Sequence, residues 1–455
     1  MPATPLLGLI GDTPLVPVTR LDTGPCELLL KLESQNPGGS IKDRIAVSMI
    51  EAAERDGRLA PGGTIIEATA GNTGLALALV GLAKGYRSLF VIPDKMSQEK
   101  IFHLRALGAE IVMTRSDVGK GHPEYYQDMA EAIAARTPNS VYINQFANPA
   151  NPLAHERTTG PELLRQTGGR LDAVVCGVGS GGTITGLTRC FRAHAPQVKL
   201  LLADPAGSVL ADFVHSGTIG TAGSWLVEGI GEDFLPPIAD LSGVAQAYTI
   251  PDAESFAAAR ELLRQEGILA GSSSGTLLAA ALRYCRSRTA PERVVSFVCD
   301  TGAKYLSKMY NDFWLRDQGF AGAPAAGDLS DLITRRYAEG AVITVRPRDT
   351  LLAAVGRCRM YDVSQLPVLD GERVVGIVDE EDLLHAVTHD PARFADPVAS
   401  VMSTELVTIE PEAPLARASE ILDRGLVPIV MRGDRLIGLI TRSDLLNHLR
   451  RRLGH

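Results

Sequence analysis

Four short loops built from glycine, serine, threonine and asparagine, each set where the chain turns into a helical stretch, constrain this sequence more than any other feature. They are Asn36-Pro37-Gly38-Gly39-Ser40-Ile41-Lys42-Asp43-Arg44, Thr69-Ala70-Gly71-Asn72-Thr73-Gly74, Gly177-Val178-Gly179-Ser180-Gly181-Gly182-Thr183 and Gly271-Ser272-Ser273-Ser274-Gly275. A glycine turn at a helix start leaves backbone N–H groups free to close on an anion, and the helix N-terminus adds favourable partial charge. Apolar runs at Leu28–Glu33, Thr64–Ala68, Ser88–Pro93, Glu110–Thr114, Val141–Asn144, Val174–Cys176, Leu200–Asp204 and Val294–Cys299 read as strands alternating with helices. That alternation implies a layered α/β fold.

Each loop alone is ambiguous. Two glycines and a proline aim the Lys42 amine into a turn that becomes a helix. A Schiff-base lysine needs such a fixed approach, but a solvated lysine at a helix start would look the same. Gly177, Gly179 and Gly182 follow an apolar strand and satisfy G-x-G-x-x-G, with Asp204 ending the next strand, so a nicotinamide dinucleotide site is one reading and a plain tight turn another. No lysine follows these glycines, which excludes a nucleoside-triphosphate loop. Thr69 to Gly74 offers N–H groups for a small carboxylate and the Asn72 amide for a phenolic oxygen, or merely a helix cap. A nicotinamide reading leaves Lys42 idle. An amine, a phosphate cradle, a carboxylate cradle and a neutral hydroxyl together describe a pyridoxal-phosphate site.

Over roughly the first 315 residues, in order, these motifs resemble the fold-type II pyridoxal-phosphate enzymes of the cysteine synthase/cystathionine β-synthase family. The resemblance implies a two-lobed catalytic domain over 1–318, with the lobe from about 45 to 144 closing on substrate. It implies Lys42 as the Schiff-base lysine and Asn72 beside the coenzyme's 3′-oxygen. Gly179, Ser180, Gly181, Gly182 and Thr183 would grip the phosphate, and Ser272 would face the pyridine nitrogen. Thr69, Gly71, Asn72, Thr73 and Gln145 would receive the amino-acid carboxylate. A neutral serine at the ring nitrogen disfavours a long-lived ring carbanion, so elimination at the β-carbon is the easier exit. Lys42 would take the α-proton as general base and return it after a thiolate adds.

Glu228, in Trp225-Leu226-Val227-Glu228-Gly229-Ile230-Gly231, stands where cysteine synthases usually carry glutamine, and a carboxylate there suits the ammonium of homocysteine. An exposed loop acid is the plain alternative. Phe146 replaces the usual tyrosine and Ala70 a common serine, removing two hydroxyls near the substrate. The reaction implied is L-serine with L-homocysteine giving L-cystathionine, with hydrogen sulfide released when cysteine is the β-substrate. The alternative is a cysteine synthase using O-acetylserine and sulfide.

After a loose stretch at 319–330, read as a linker, an internal repeat begins. Leu366-Pro367-Val368-Leu369 through Asp382-Leu383-Leu384 recurs as Val427-Pro428-Ile429-Val430 through Asp444-Leu445-Leu446, with Asp382 and Asp444 62 residues apart. A hairpin feeding a helix is too small to bury its own apolar face and should stack on its twin. The pair resembles a tandem CBS-domain (Bateman) module over 331–455, with repeats at about 335–394 and 398–455. Thr441 and Asp444 match its ribose-contacting pattern, whereas Asp379 replaces the hydroxyl in the first repeat. S-adenosylmethionine, an adenine nucleotide or no ligand are the alternatives, the last leaving a module that only assembles subunits.

A net charge of −8 argues against nucleic acid as a partner, and the Arg450-Arg451-Arg452 cluster reads as a solvated helix end. The longest apolar run, Leu75 to Ala83, is too short to cross a membrane. Nine histidines form no metal-ligand pattern, and six cysteines without C-x-x-C spacing read as reduced core residues of a cytoplasmic protein. Met1 to Gly11 lacks a basic leader, and Thr13-Pro14-Leu15 leaves no room for the haem-binding extension of animal relatives, so no haem is expected. The expected partners are small amino acids (serine, homocysteine, cysteine) and further copies of the chain as a homodimer or higher homo-oligomer. A dehydrogenase and a catalytically dead adenosine sensor remain as other classes of function.

Overall fold

The structure, a computed structural model, describes residues 4–69, 71–94, 98–320 and 327–452. Ala70, most of the expected linker (321–326) and the side chains of the 450–452 arginine cluster lie outside the described residues. The chain forms two compact units, Met1–Tyr310 and Asn311–His455.

Two sheets organise the first unit. One has six strands in the order Leu15–Pro17, Glu27–Lys31, Arg293–Phe297, Ala173–Cys176, Lys199–Pro205 and Val244–Ile250, all parallel except the first. The other has four parallel strands, Glu110–Thr114, Arg87–Pro93, Thr64–Glu67 and Ser140–Tyr142. Parallel neighbours require crossovers, supplied here by helices that cover the sheet faces. Ala173–Cys176 and Thr64–Glu67 are accordingly buried at every position. All eight strands expected from apolar runs are present, with ends within two residues. Leu15–Pro17 and Val244–Ile250 were not expected. Both are edge strands, and the second buries Ala247 and Ile250 among exposed and half-buried residues instead of forming an apolar run.

Four helices begin at the glycine-rich loops: Lys42–Arg55, Asn72–Lys84, Gly182–His194 and Ser272–Arg286. Beneath the first lies a buried network of charges. The Arg44 guanidinium donates to both Glu33 oxygens (2.7 and 2.8 Å) and both Glu162 oxygens (2.7 Å each). The Lys31 ammonium donates to Glu162 Oε2 (2.8 Å), Gln166 Oε1 (2.9 Å) and the Thr13 carbonyl (2.7 Å). The Asn36 amide donates to Glu33 Oε2 (2.9 Å) and the Ser40 carbonyl (3.1 Å). Two cations meet two carboxylates, so each charge of this network has a counter-ion.

In the second unit the hairpin Gln365–Asp370/Arg373–Asp379 leads into the helix Glu380–Val387, and the hairpin Ile429–Arg432/Arg435–Leu439 into Arg442–Arg452. The repeat extends to backbone irregularities. The register shifts between Val368 and Leu369 and again between Val430 and Met431, and Gly371 and Gly433 turn each hairpin at positive φ (+63° and +60°). Leu369 and Val374 of one hairpin share a core with Ile429 and Leu436 of the other, as the stacking expectation required. The linker is shorter than expected: Asp328 caps a turn whose Leu329 and Leu332, with Ile333, join the second repeat's core. Asn311–Gln318, expected in the catalytic half, groups with the second unit.

Replacing Arg44 by methionine strands the buried Glu33 carboxylate, leaves Glu162 with Lys31 as its remaining cation, and should cost about 3–5 kcal/mol of stability. The measurement is the urea midpoint of the first unit, expected to fall clearly. The depressed pKa of Glu162, held near 2 by Arg44 and Lys31 against the effect of burial, makes its stabilisation complete above its unfolded-state pKa. That stabilisation should be lost as pH falls toward 2.

Candidate active site

A cavity of about 260 Å³ in the first unit is lined by Lys42, Thr69, Gly71, Asn72, Thr73, Gln145 and Gly179 through Thr183, drawn from three of the four loops and from the segment after the Ser140–Tyr142 strand. Cys176, Trp225, Glu232, Ser273 and Cys299 line it too.

Lys42 begins its helix from a turn tied down on several sides. Gly38 N–H donates to Asp43 Oδ2 (2.5 Å), Ile41 N–H to the Cys299 carbonyl (2.8 Å) and Thr301 N–H to the Gly39 carbonyl (3.1 Å). Gly39 sits at φ +72°, where an L side chain is strained. The half-buried Lys42 amine has its pKa lowered by burial, partly opposed by the fields of Cys299, Asp300 and Glu33. Lowering favours the neutral amine that carbonyl chemistry requires.

Gly179 through Thr183 form a concave turn at the start of the Gly182–His194 helix. A Cβ on Gly182 would lie 1.8 Å from Asn151 Oδ1, so only glycine fits there. Asn151 Nδ2 donates to Ser180 Oγ (2.9 Å) and to the Gln145 carbonyl (2.8 Å), joining the turn to the carboxylate loop. Asn151 Oδ1 is buried without a hydrogen-bond partner among the described residues. The Thr183 hydroxyl lies 3.2 Å from Nε2 of His155, whose pKa burial pushes well below the usual value, so the imidazole is neutral. Free N–H groups, two hydroxyls and a helix N-terminus fit a phosphate.

The third loop is braced from below. The Thr73 hydroxyl donates to Gln145 Oε1 (2.7 Å), and Gln145 N–H to Glu67 Oε2 (3.1 Å). Asn72 Nδ2 donates to Asp300 Oδ2 (2.8 Å), and Asn72 Oδ1 accepts from the Lys304 ammonium (2.7 Å). Asp300 also accepts from the Tyr305 hydroxyl (2.8 Å). Asp300 and Lys304 escaped the sequence reading; the signal was a carboxylate directly after the apolar strand run Val294–Cys299.

Two expected residues do not line the cavity. Ser272 Oγ accepts from Glu228 N–H (3.0 Å), facing the loop, and the next residue, Ser273, lines the cavity beside the Cys299 thiol. One position along a helix rotates a side chain by about 100°. Glu228 is turned away as well: its carboxylate is bound by Lys308 (2.7 Å) and by Lys100, so it does not present a free charge to the cavity. Glu232, four residues on, is the acid that lines it. The Phe146 ring, also at the wall, leans on Phe234 with centroids 5.7 Å apart.

In the second unit Thr441 N–H and Oγ1 donate to Asp444 Oδ2 (2.8 and 2.6 Å), and Thr334 Oγ1 donates to Oδ1 (2.6 Å). This pair, expected to meet ribose, already uses both carboxylate oxygens at its helix start. Asp379 does equivalent work in the first repeat, in a reciprocal cap with Asp382. Among the described residues no helix is long and apolar enough to cross a membrane, and no group of histidine, cysteine and acidic side chains could hold a metal. All six cysteines are free.

Gly182→Ala should overfill the phosphate turn at a cost of about 1–3 kcal/mol. The expected reading is coenzyme affinity about 10- to 100-fold weaker by absorbance titration, with the fold intact by circular dichroism.

A family model described as pyridoxal-phosphate dependent enzyme matches residues 6–300, and CBS-domain models match 329–389 and 398–451. The cystathionine beta-synthase of Dictyostelium discoideum is 37% identical over 459 residues, covering 98% of this chain and 92% of its own. Cysteine synthase 1 of Neurospora crassa is 42% identical over 327 residues, 70% of this chain and 86% of its own. Among solved structures, a hydrogen sulfide-producing enzyme from Fusobacterium nucleatum aligns with TM-score 0.61 and 36% identity over 66% of this chain and 99% of its own. The chain belongs to the family of pyridoxal-phosphate-dependent enzymes that includes the cystathionine β-synthases, and it carries a pair of CBS domains behind its catalytic half.

Proposed function

We propose that this enzyme condenses L-serine with L-homocysteine to L-cystathionine by β-replacement, and releases hydrogen sulfide when cysteine takes the place of serine. The observation that carries the reading is the meeting of the half-buried Lys42 amine, the Gly179–Thr183 cradle and the Thr69–Thr73 loop in one cavity. Bound pyridoxal phosphate supplies the electron sink that lets a Cα–H bond break and a β-substituent depart. Lys42 would hold the coenzyme's carbonyl carbon and would carry the substrate's α-proton on its amine. Gly179, Ser180, Gly181, Gly182 and Thr183 hold the phosphate, and Asn72, oriented by Asp300 and Lys304, meets the ring's phenolic oxygen.

Ser273, in place of Ser272, presents its hydroxyl to the ring nitrogen. A neutral hydroxyl cannot keep that nitrogen protonated, which favours β-chemistry over racemisation. Thr69, Gly71, Thr73 and Gln145 orient the α-carboxylate. Glu228, paired with Lys100 and Lys308, places two cations near the rim, where they meet the carboxylate of the second amino acid. Homocysteine as acceptor is supported by the relatives that match the whole chain, CBS pair included. The Neurospora relative, matching the catalytic half, favours O-acetylserine and sulfide as the second reading. We further place the enzyme in the cytoplasm as a homodimer, with the 45–144 lobe closing on substrate and the CBS pair taking an adenosine-containing ligand.

Side-by-side assays separate the two readings. Serine with homocysteine should turn over at least about tenfold more efficiently than O-acetylserine with sulfide, and the reverse order reassigns the enzyme. Ser273→Asp, which would protonate the ring nitrogen, should lower β-replacement about tenfold or more, whereas Ser272→Ala should have little effect.

A further inference from the structure

We propose that Glu232 is the second proton-handling group of this site: it protonates the departing β-oxygen of serine and, as the carboxylate so formed, takes the proton of the incoming thiol. The proposal rests on the β-replacement reading above.

Four observations support it. Glu232 lines the same cavity as Lys42 and is the acid that does so. Its backbone is fixed: the Glu232 N–H donates to Ser208 Oγ (3.1 Å), and its carbonyl accepts from Ser208 Oγ (3.2 Å) and Val209 N–H (3.0 Å). No described residue donates a hydrogen bond to its carboxyl, leaving both oxygens for substrate. Its charged surroundings all oppose ionisation. Asp233 beside it and Asp204 at the end of the Lys199–Pro205 strand are acids, and the facing groups from the other lobe are the phenols Tyr125 and Tyr126.

Burial first, then Asp233 and Asp204, push the Glu232 pKa up to about 8. It is therefore a carboxylic acid at neutral pH. The other titratable groups on the cavity wall are the thiols Cys176 and Cys299, both pushed upward by burial, Cys299 to about 12. Lys42 and Glu232 are thus the two lining groups whose pKa values move toward neutrality, one from above and one from below. A paired arrangement of this kind assigns acid and base.

The step balances. Lys42 takes the α-proton, the C–H electron pair becomes the Cα–Cβ double bond, and the Cβ–O pair leaves with oxygen, which Glu232 protonates to water. In the second half the thiol proton passes to the Glu232 carboxylate and sulfur's electron pair forms the Cβ–S bond. The double-bond pair returns to Cα and takes the proton that Lys42 kept. Serine plus thiol gives thioether plus water, and both residues end in their starting states.

Leaving groups that depart as stable anions need no proton, and this separates Glu232 from a mechanism run by Lys42 alone. In the half-reaction before any thiol is added, read as a single-turnover absorbance change, Glu232→Gln should lower the rate of loss of the β-substituent from serine about 100-fold or more and leave that from β-chloroalanine within about threefold. Wild-type kcat/KM for serine should fall as pH rises through about 8, a limb missing from Glu232→Gln and from β-chloroalanine turnover. Independently of turnover, the infrared spectrum of the coenzyme-free protein should show a carboxylic-acid band that titrates near pH 8 and is absent in Glu232→Gln. Glu232→Asp, the conservative variant, should restore part of the serine rate and stands in if the glutamine variant does not fold. Equal loss on both substrates, an unchanged serine rate, or no titrating band overturns the proposal while leaving β-replacement standing. A wild-type protein that makes no thioether from either substrate overturns the β-replacement reading itself, and this proposal with it.

Discussion

The Arg44 guanidinium, held between Glu33 and Glu162, is the interaction on which the site depends. Arg44 lies two residues beyond Lys42 on the same helix. Its bonds fix the start of that helix against Glu33, two residues past the Glu27–Lys31 strand, and against the Gly160–Gln166 helix. Asn36, bonded to Glu33 and to the Ser40 carbonyl, carries the same constraint into the turn itself. A buried ion pair is a weak source of net stability, because desolvation offsets most of the attraction. Its value lies in asymmetry: any other position for Arg44 would leave a carboxylate buried and unpaired, so the turn has one low-energy geometry. A reactive amine needs that kind of fixed approach.

The same scaffold reaches the phosphate turn. The chain runs from Asn151, which braces Ser180, through a π-helical segment His155–Thr159 that sets His155 against Thr183, and on to Glu162 in the ion network. Ligand-facing and structural contacts therefore alternate along one helical run. Electrostatics then divides the labour. Burial lowers Lys42, raises Glu232 and the two thiols, and keeps His155 neutral, so the wall of the cavity carries little net charge until an anionic coenzyme and a zwitterionic substrate enter.

Much of this was legible in the sequence, for identifiable reasons. Strands buried on both faces carry short apolar runs, so Ala173–Cys176 and the Ile65-Ile66 centre of Thr64–Glu67 stood out, whereas the edge strand Val244–Ile250 mixes polar and apolar residues and did not. Lys42, Asn72 and the Gly179–Thr183 turn were visible because close backbone approach demands glycine or small residues over several consecutive positions. The hairpin repeat was visible because its spacing holds down to the bulge and the turn glycine. What stayed hidden depended on rotation and on distant partners. Three consecutive serines start one helix, and only its orientation decides that Ser273 faces the cavity while Ser272 meets Glu228. Glu228 and Glu232 share one loop, and Lys100 and Lys308, far away in sequence, determine which of them is neutralised by ion pairs. Thr441 and Asp444 matched a ligand pattern, yet the same geometry closes a helix cap.

The covalent bond between the coenzyme's carbonyl carbon and the Lys42 nitrogen is tested most directly by borohydride reduction of the coenzyme-loaded protein, followed by digestion and peptide mapping. A single reduced pyridoxyl adduct on the peptide containing Lys42 is the expected result. An adduct on a different lysine, or none at all, would contradict it.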